Sequence, residues 1–211
     1  MSAPSNRATV PVSLGFRAGR GGSVVVGVAD GRAPRVVLST FLATAAEGDR
    51  LALEPYHVAF ETERGPRGEV SAAAAVAEGR KRQEQLAVAG LEEIVRRFRE
   101  ARYEPVVAAL LVNRAGWITD LLEYSLFAPE HPAVAEGLAV RDALRFALDR
   151  CGIKIVETDE KSLHDAAAKK LRRPIADIDA QLKSLGASAG KPWRKEQKLA
   201  CLSAWLAVGE P

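Results

Sequence analysis

Ser23 to Gly31 reads SVVVGVADG, and Arg35 to Leu42 reads RVVLSTFL. Both runs are short and rich in β-branched residues, and Ala29-Asp30-Gly31-Arg32-Ala33-Pro34 separates them, with Asp30-Gly31 as the turn signal. Together they predict a β-hairpin. The next apolar run, Leu51 to Glu61 (LALEPYHVAFE), carries Pro55 in its middle. A proline lacks the N–H that a sheet interior needs, so this run is expected at an edge, at a bulge or as a late-starting strand. Three neighbouring strands predict an antiparallel meander.

Beyond Gly65-Pro66-Arg67-Gly68 the period changes. Glu69 to Arg102 is rich in Ala, Glu, Arg and Gln, with Ala87, Leu91, Ile94, Val95 and Phe98 on one stripe and Arg96, Arg97, Arg99 and Arg102 off it. That spacing predicts a helix, with Gly79 and Gly90 as points where it breaks or bends. Val106 to Val112 (VVAALLV) is apolar at every residue and follows Pro105, as expected of a central parallel strand covered on both faces. Trp117 to Phe127 and Pro132 to Cys151 read as helices, and Ile153 to Val156 as a short strand. From Ser162 onward only helices and loops are expected. Pro174 opens one helix, Gly186 ends it, and a last helix runs from about Pro192 to Val208.

On the amino-terminal side of the hairpin, Gly15, Gly19, Gly21 and Gly22 alternate with Arg17 and Arg20. Residues 1–22 are therefore expected to form a flexible basic arm or an untethered terminus, and residues 23–211 a single domain. The chain has 211 residues, 47% of them hydrophobic and 27% charged, which excludes disorder throughout. At this length a core forms without metal or disulfides, and two cysteines, Cys151 and Cys201, are too few for either framework. No apolar run approaches the roughly 20 residues that cross a bilayer, and no secretory signal is evident, so a cytoplasmic location without membrane attachment is expected.

The element order is β-β-β-α-β-α-β-α with a helical C-terminus: an α/β class in which an antiparallel meander precedes alternating helices and parallel strands. A doubly wound nucleotide fold would alternate from its start, whereas this order matches the RNase H-like fold. SVVVGVADG at 23–31 resembles the first strand of RuvC-type Holliday-junction resolvases, in which an apolar-Gly-apolar strand leads to a metal-binding aspartate. KSLGASAGKPWRKEQKLACLSAWLAV at 183–208 is similar to the segment in which their glycine- and lysine-rich loop feeds a helix. Through HPAVAEG and GKPWRKEQK the chain also resembles a set of uncharacterised bacterial proteins. The likeness spans residues 23–208.

The resemblance implies phosphodiester cleavage in which carboxylates from separate strands and the last helix converge on two divalent ions, Mg2+ or Mn2+. Asp30 then stands for the first-strand ligand, although a turn beside Gly31 explains it equally. Asn113, at the end of the Val106 to Val112 run, falls where a second carboxylate is expected and is a poor substitute. Glu196 is the candidate on the last helix. Glu136, near His131 in HPAVAEG, is a further catalytic candidate, while Asp120 and Glu123 read more simply as solvated helix charges.

Charge is unevenly placed. The net charge is +3 and the pI about 9.0, yet residues 161–198 hold ten basic residues against four acidic ones. That surplus of six leaves the remainder negative. Lys169, Lys170, Arg172, Arg173, Lys191, Arg194, Lys195 and Lys198 are the candidates for phosphate-backbone contacts, with Trp193 stacking on a base. The alternative is a solvated helical face with Trp193 in the core. Gly186 to Lys191 is one residue short of a phosphate loop and runs into Pro192, so it is set aside. His57, His131 and His164 lack metal-ligand spacing, and no G-x-S-x-G elbow is present. The expected partner is branched DNA or structured RNA. The alternative is a catalytically inactive scaffold that binds another protein or a second copy of itself.

Overall fold

A computed structural model describes residues 9–30, 33–65, 71–113 and 117–208. Its centre is a strand that the sequence reading assigned to the flexible arm. β1 (Val10–Gly19) alternates Val12, Leu14 and Phe16, all fully buried on one face, with Ser13, Gly15 and Arg17 on the other. β2 (Gly22–Ala29) returns antiparallel from the Gly19–Gly22 turn, and β3 (Arg35–Ala43) pairs antiparallel with β2. The arm expectation is thus corrected for residues 10–19, while residues 1–8 lie outside the described residues. Glycines and arginines masked a period-two apolar pattern, and burial on both faces outweighs the low strand propensity of glycine.

The three-stranded meander is present, shifted by one strand. LALEPYHVAFE is not its third member. Residues 51–61 instead fall in α1 (Arg50–Leu53) and α2 (Pro55–Arg64). The Asp49 carboxylate accepts from Ala52 N and starts the first helix, and Pro55 opens the second, where its missing N–H costs nothing. Gly31, half of the turn signal, lies outside the described residues.

α3 (Ala72–Glu100) begins at the Ser71 cap and runs through Gly79 and Gly90 without interruption. Next come β4 (Tyr103–Val112), α4 (Leu121–Phe127), α5 (His131–Arg150) and β5 (Lys154–Asp159). α4 starts later than the predicted Trp117, because the Asp120 carboxylate accepts from Leu122 N and Glu123 N and sets the cap there. The chain closes with α6 (Leu163–Leu171), α7 (Ile175–Ala189) and α8 (Lys195–Ala207).

The sheet order is β3-β2-β1-β4-β5, with β1, β4 and β5 mutually parallel. This is the RNase H-like α/β architecture, helical C-terminus included. α3 and α5 cover the face that carries Val12, Leu14, Phe16, Val25 and Leu110; α6, α7 and α8 cover the face that carries Val26, Val28 and Leu111. β4 is buried on both faces as predicted, except at Val106, which is 47% exposed. The register steps from Val12–Pro105 to Ser13–Val107, so Val106 is an extra residue at a bulge beside the proline.

α8 crosses β1 in direct backbone contact. A Cβ on Gly15 would stand 1.8 Å from the Ala200 carbonyl oxygen, so only glycine admits the helix at this distance. That crossing sets where the first turn of α8 lies relative to the strand ends. Among the described residues no helix is long and apolar enough to cross a membrane.

Candidate functional site

The carboxyl ends of β1, β4 and β5 share one edge of the sheet, and α8 brings its first turn to the same edge. Period two places Arg17 two residues beyond Gly15 on the α8 face. Arg17 donates from Nε and Nη2 to the two carboxylate oxygens of Glu160, both at 3.1 Å, and its Nη1 lies 3.8 Å from Glu196 Oε1. Glu160 directly follows β5, and its N–H donates to Val112 O at 3.0 Å. One guanidinium therefore holds carboxylates from the β5 end and from the last helix. With side chains a quarter to two-fifths exposed, the cluster is half-buried, and its forked pairing with Glu160 contributes about 1 kcal/mol after screening.

The apolar-Gly-apolar pattern associated above with a metal-binding aspartate occurs in two of the described strands. In β2 it is Val26-Gly27-Val28. In β1, the central strand, it is Leu14-Gly15-Phe16, and the residue that follows is Arg17.

Asp30 does not join this edge. It lies beyond the Val12–Ala29 pair, five residues along β1 from Arg17, a separation of roughly 17 Å. It is exposed, has φ 58°, and its side chain accepts from Ala33 N at 3.4 Å, as a turn residue does. The expectation of a catalytic, metal-binding Asp30 meeting Glu196 is not met, because β2 runs antiparallel and ends at the opposite edge.

Glu136 is engaged elsewhere too. Its Oε1 accepts from Tyr56 N at 2.8 Å and His57 N at 3.1 Å, so α5 caps the first turn of α2, which has no side-chain cap of its own. Glu136 is only 7% exposed and its Oε2 has no hydrogen-bond partner. Burial raises the carboxyl from its ordinary 4.5 to about 7, against the lowering effect of the His57 and Tyr56 N–H groups. The neutral form therefore stabilises the fold fully below about 4.5, and that contribution fades as pH rises through about 7. The difference corresponds to roughly 3 kcal/mol. Urea unfolding is expected to show stability falling between pH 5 and pH 8, with Glu136→Gln flattening the fall; equal slopes in both proteins would refute this.

Asn113 follows β4 at the same edge as Arg17 and is exposed. Asp120 serves as the α4 cap, and Glu123 is an exposed helix residue, as read from the sequence. Whether the edge fits a pair of divalent ions is a question about its donors. Two carboxylates there are bound to a guanidinium, the third candidate is a neutral amide, and the remaining acids proposed from the sequence lie elsewhere. Among the described residues no group of three His, Cys, Asp or Glu side chains has the geometry to hold a metal. The donor set does not fit Mg2+ or Mn2+.

The basic candidates divide into two groups. Lys191, Arg194, Lys195 and Lys198 surround the start of α8, beside Glu196 and hence beside Arg17. Lys169, Lys170, Arg172 and Arg173 end α6, and the Arg173 guanidinium lies 6.0 Å from the Trp205 ring. Trp205 is ten residues along α8 from Lys195, about 15 Å away. Trp193 is half-buried and packs against the core. Its Nε1 donates to Leu182 O at 2.9 Å, and its indole lies so close to Gly186 that a Cβ there would stand 2.1 Å from the ring.

Arg17 and Glu160 were missed by sequence reasoning. Leu14-Gly15-Phe16-Arg17 held the signal for the first, provided residues 10–19 were read as a strand. Cys201 is buried, which pushes its thiol up to about 12, consistent with a packing role.

No protein-family model matches the chain, and no curated protein matches it in sequence. Among solved structures it is similar to Thermus thermophilus RuvC in complex with a Holliday junction substrate, at TM-score 0.54 and 13% identity over 93% of this chain and 91% of that one. A second Thermus thermophilus RuvC structure aligns at TM-score 0.51 and 13% identity, covering 92% of each chain. At such identity the likeness is one of fold.

Proposed function

We propose that this protein binds structured nucleic acid by phosphate contacts at the carboxyl edge of its sheet, without two-metal hydrolysis. One observation carries the reading. The Gly15–Ala200 crossing and the Arg17–Glu196 contact gather Lys191, Arg194, Lys195 and Lys198 at the edge where the donor set fits no divalent ion. The neighbouring fold, in the junction-bound RuvC structure, accompanies branched DNA, which makes a four-way junction the first ligand to try.

Arg17 is assigned a positioning role in this reading. It offsets one of the two negative charges of Glu160 and Glu196, so that the acids at the edge repel a phosphate chain less. Lys195 and Arg194, at the start of α8, add full charges to the partial positive charge of a helix amino terminus. Lys169, Lys170, Arg172 and Arg173, on the far end of the helical layer, are assigned a secondary contribution to long-range attraction. The proposed location is cytoplasmic, and kinship with the bacterial set noted in the sequence is part of the same reading.

The test is a titration of labelled four-way junction, duplex, single strand and RNA hairpin across salt, with magnesium and with EDTA. Four phosphate contacts predict a slope of log affinity against log salt of about −3 to −4. The slope should be the same in EDTA, and Lys195→Ala should reduce it by about one unit. Absence of binding at low salt would sink the proposal, as would magnesium-dependent cleavage abolished by Glu160→Gln.

A second reading, a protein-docking module, is favoured by an aromatic cluster. Trp117 and Phe127 are 70% and 82% exposed, and Tyr124 stacks on His131 at 4.0 Å between ring centroids. Exposed aromatics of this kind mark interaction sites. Trp117→Ala leaving nucleic-acid binding intact while abolishing a copurifying protein partner would support that reading over the first.

A further inference from the structure

On the opposite face of the sheet from α8, a cavity of about 510 Å3 opens at the ends of β4 and β5, between α3 and α5. Arg80 from α3 and Arg141 and Arg145 from α5 line it, with Tyr56, Asn113 and Thr119. Its acids are mostly spoken for. Asp142 accepts from Arg80 at 3.1 Å and from Arg145 at 2.8 Å; Glu157 accepts from Arg145 at 2.6 Å; Asp120 caps α4. Arg141 differs. It donates to the Leu111 carbonyl at 3.3 Å and the Gly137 carbonyl at 3.1 Å, and among the described residues it pairs with no carboxylate.

A half-buried guanidinium whose hydrogen bonds go to carbonyls rather than to a carboxylate is costly, since it stays ionised at any working pH. Arg141 and Arg145 also sit one turn apart on the same helix, a like-charge spacing that destabilises a helix unless something answers it. Burial, and next the Arg145 charge, lower the Arg141 pKa from its ordinary value, against the raising effect of the Glu160 and Glu157 charges. The volume falls within the range of single small-molecule sites and is too small for a continuous duplex. A forked guanidinium beside further donors is matched to tetrahedral oxyanions.

We infer that this cavity binds a phosphate monoester, held by Arg141 with Arg80 and Arg145 around it. The inference does not depend on the phosphate-backbone contacts assigned to the α8 edge, because the two sets share no basic side chain, although Arg141 feels the charges of Arg17 and Glu160. Two sources carry this chemistry: the terminal phosphate of a nucleic-acid strand, or a free mononucleotide.

The experiment uses the full chain in four arms: inorganic phosphate, a nucleoside 5′-monophosphate, a 5′-phosphorylated oligonucleotide, and the same oligonucleotide with a 5′-hydroxyl. Binding is read by calorimetry and by thermal shift at constant ionic strength. Phosphate or the monophosphate is expected to raise Tm by about 2 °C or more. Arg141→Met is expected to weaken the binding at least about 10-fold. Arg80→Gln, which leaves the Leu111 and Gly137 carbonyl contacts in place, should weaken it too and serves if the first variant fails to fold. Tighter binding of the phosphorylated oligonucleotide than of its hydroxyl form, lost in Arg141→Met, assigns the site to strand ends. Equal binding of the mononucleotide and the phosphorylated strand assigns it to free nucleotides. Binding that is unchanged in both variants, or no response to any phosphate, overturns the inference whatever the salt titration at the other edge shows.

Discussion

Gly15→Ala is expected to destabilise the protein by at least about 3 kcal/mol, measured as the shift in urea unfolding. The added methyl would stand 1.8 Å from the Ala200 carbonyl oxygen, 2.7 Å from its carbon and 2.8 Å from Ser203 Oγ. The first two are backbone atoms, so no side-chain rotation relieves the clash, and α8 must move off the sheet. That helix buries Leu199, Ala200, Cys201, Leu202, Ala204 and Trp205, and a shift exposes part of each. For a chain of this length the expected drop in Tm is roughly 6–12 °C. Gly19→Ala is the control, because nothing lies within 4 Å of its new methyl. If the two variants unfold at the same urea concentration, the close crossing of α8 over β1 is wrong. Gly15→Ala should also weaken nucleic-acid binding, since Lys195 and Lys198 move with the helix.

Arg17→Asp is the second large effect. Removing the guanidinium leaves Glu160 and Glu196 without their common partner, and the new carboxylate adds a third negative charge between them. Without divalent ions the variant is expected to lose roughly 2–4 kcal/mol at neutral pH, from the broken pair and the new repulsion. Three converging carboxylates are also a hard-ion donor set, so millimolar Mn2+ should recover most of the loss. Arg17→Leu separates the two contributions. It breaks the pair without creating the donor set, and should lose about 1–2 kcal/mol with no response to Mn2+. Thermal melts of the three proteins in EDTA and in Mn2+ are sufficient. A wild-type response to Mn2+ equal to that of Arg17→Asp would mean that Arg17 does not stand in an ion's place.

The two effects share a cause that the sequence showed only in part. The hairpin of Ser23 to Val28 and Arg35 to Leu42, the long helix with Leu91, Ile94 and Phe98 on one stripe, and the apolar strand ending at Val112 were legible, because each carries a period that its own segment sets. Residues 10–19 were not. Gly15 is there for contact with Ala200 of α8, 185 residues away in the chain, and local propensity counts such a glycine against a strand. LALEPYHVAFE failed for the converse reason: a short apolar run fits a strand or a helix, and the Asp49 and Pro55 caps decide it.

The candidate site was legible to a smaller degree. The lysines and arginines around Lys195 were found from charge and Glu196 from the resemblance, and they lie together at the start of α8. Asp30 and Glu136 were plausible only while the strand directions and the Glu136 partners were unknown. Glu160 carried no signal at all, because its importance comes from the guanidinium it meets.

The sequence by itself determined the class of fold, the order of its elements from β2 onward apart from residues 51–61, and the side of the chain on which positive charge collects. Those properties depend on periodicity and composition, which are local sums. Only the tertiary structure decided that β1 is central, that Asp30 and Glu196 lie at opposite edges, that Arg17 occupies the point where the carboxylates meet, and that Arg141 lines a cavity whose acids pair with other groups. Each of these is a relation between residues distant in the chain, set by strand direction and by how closely one helix approaches the sheet.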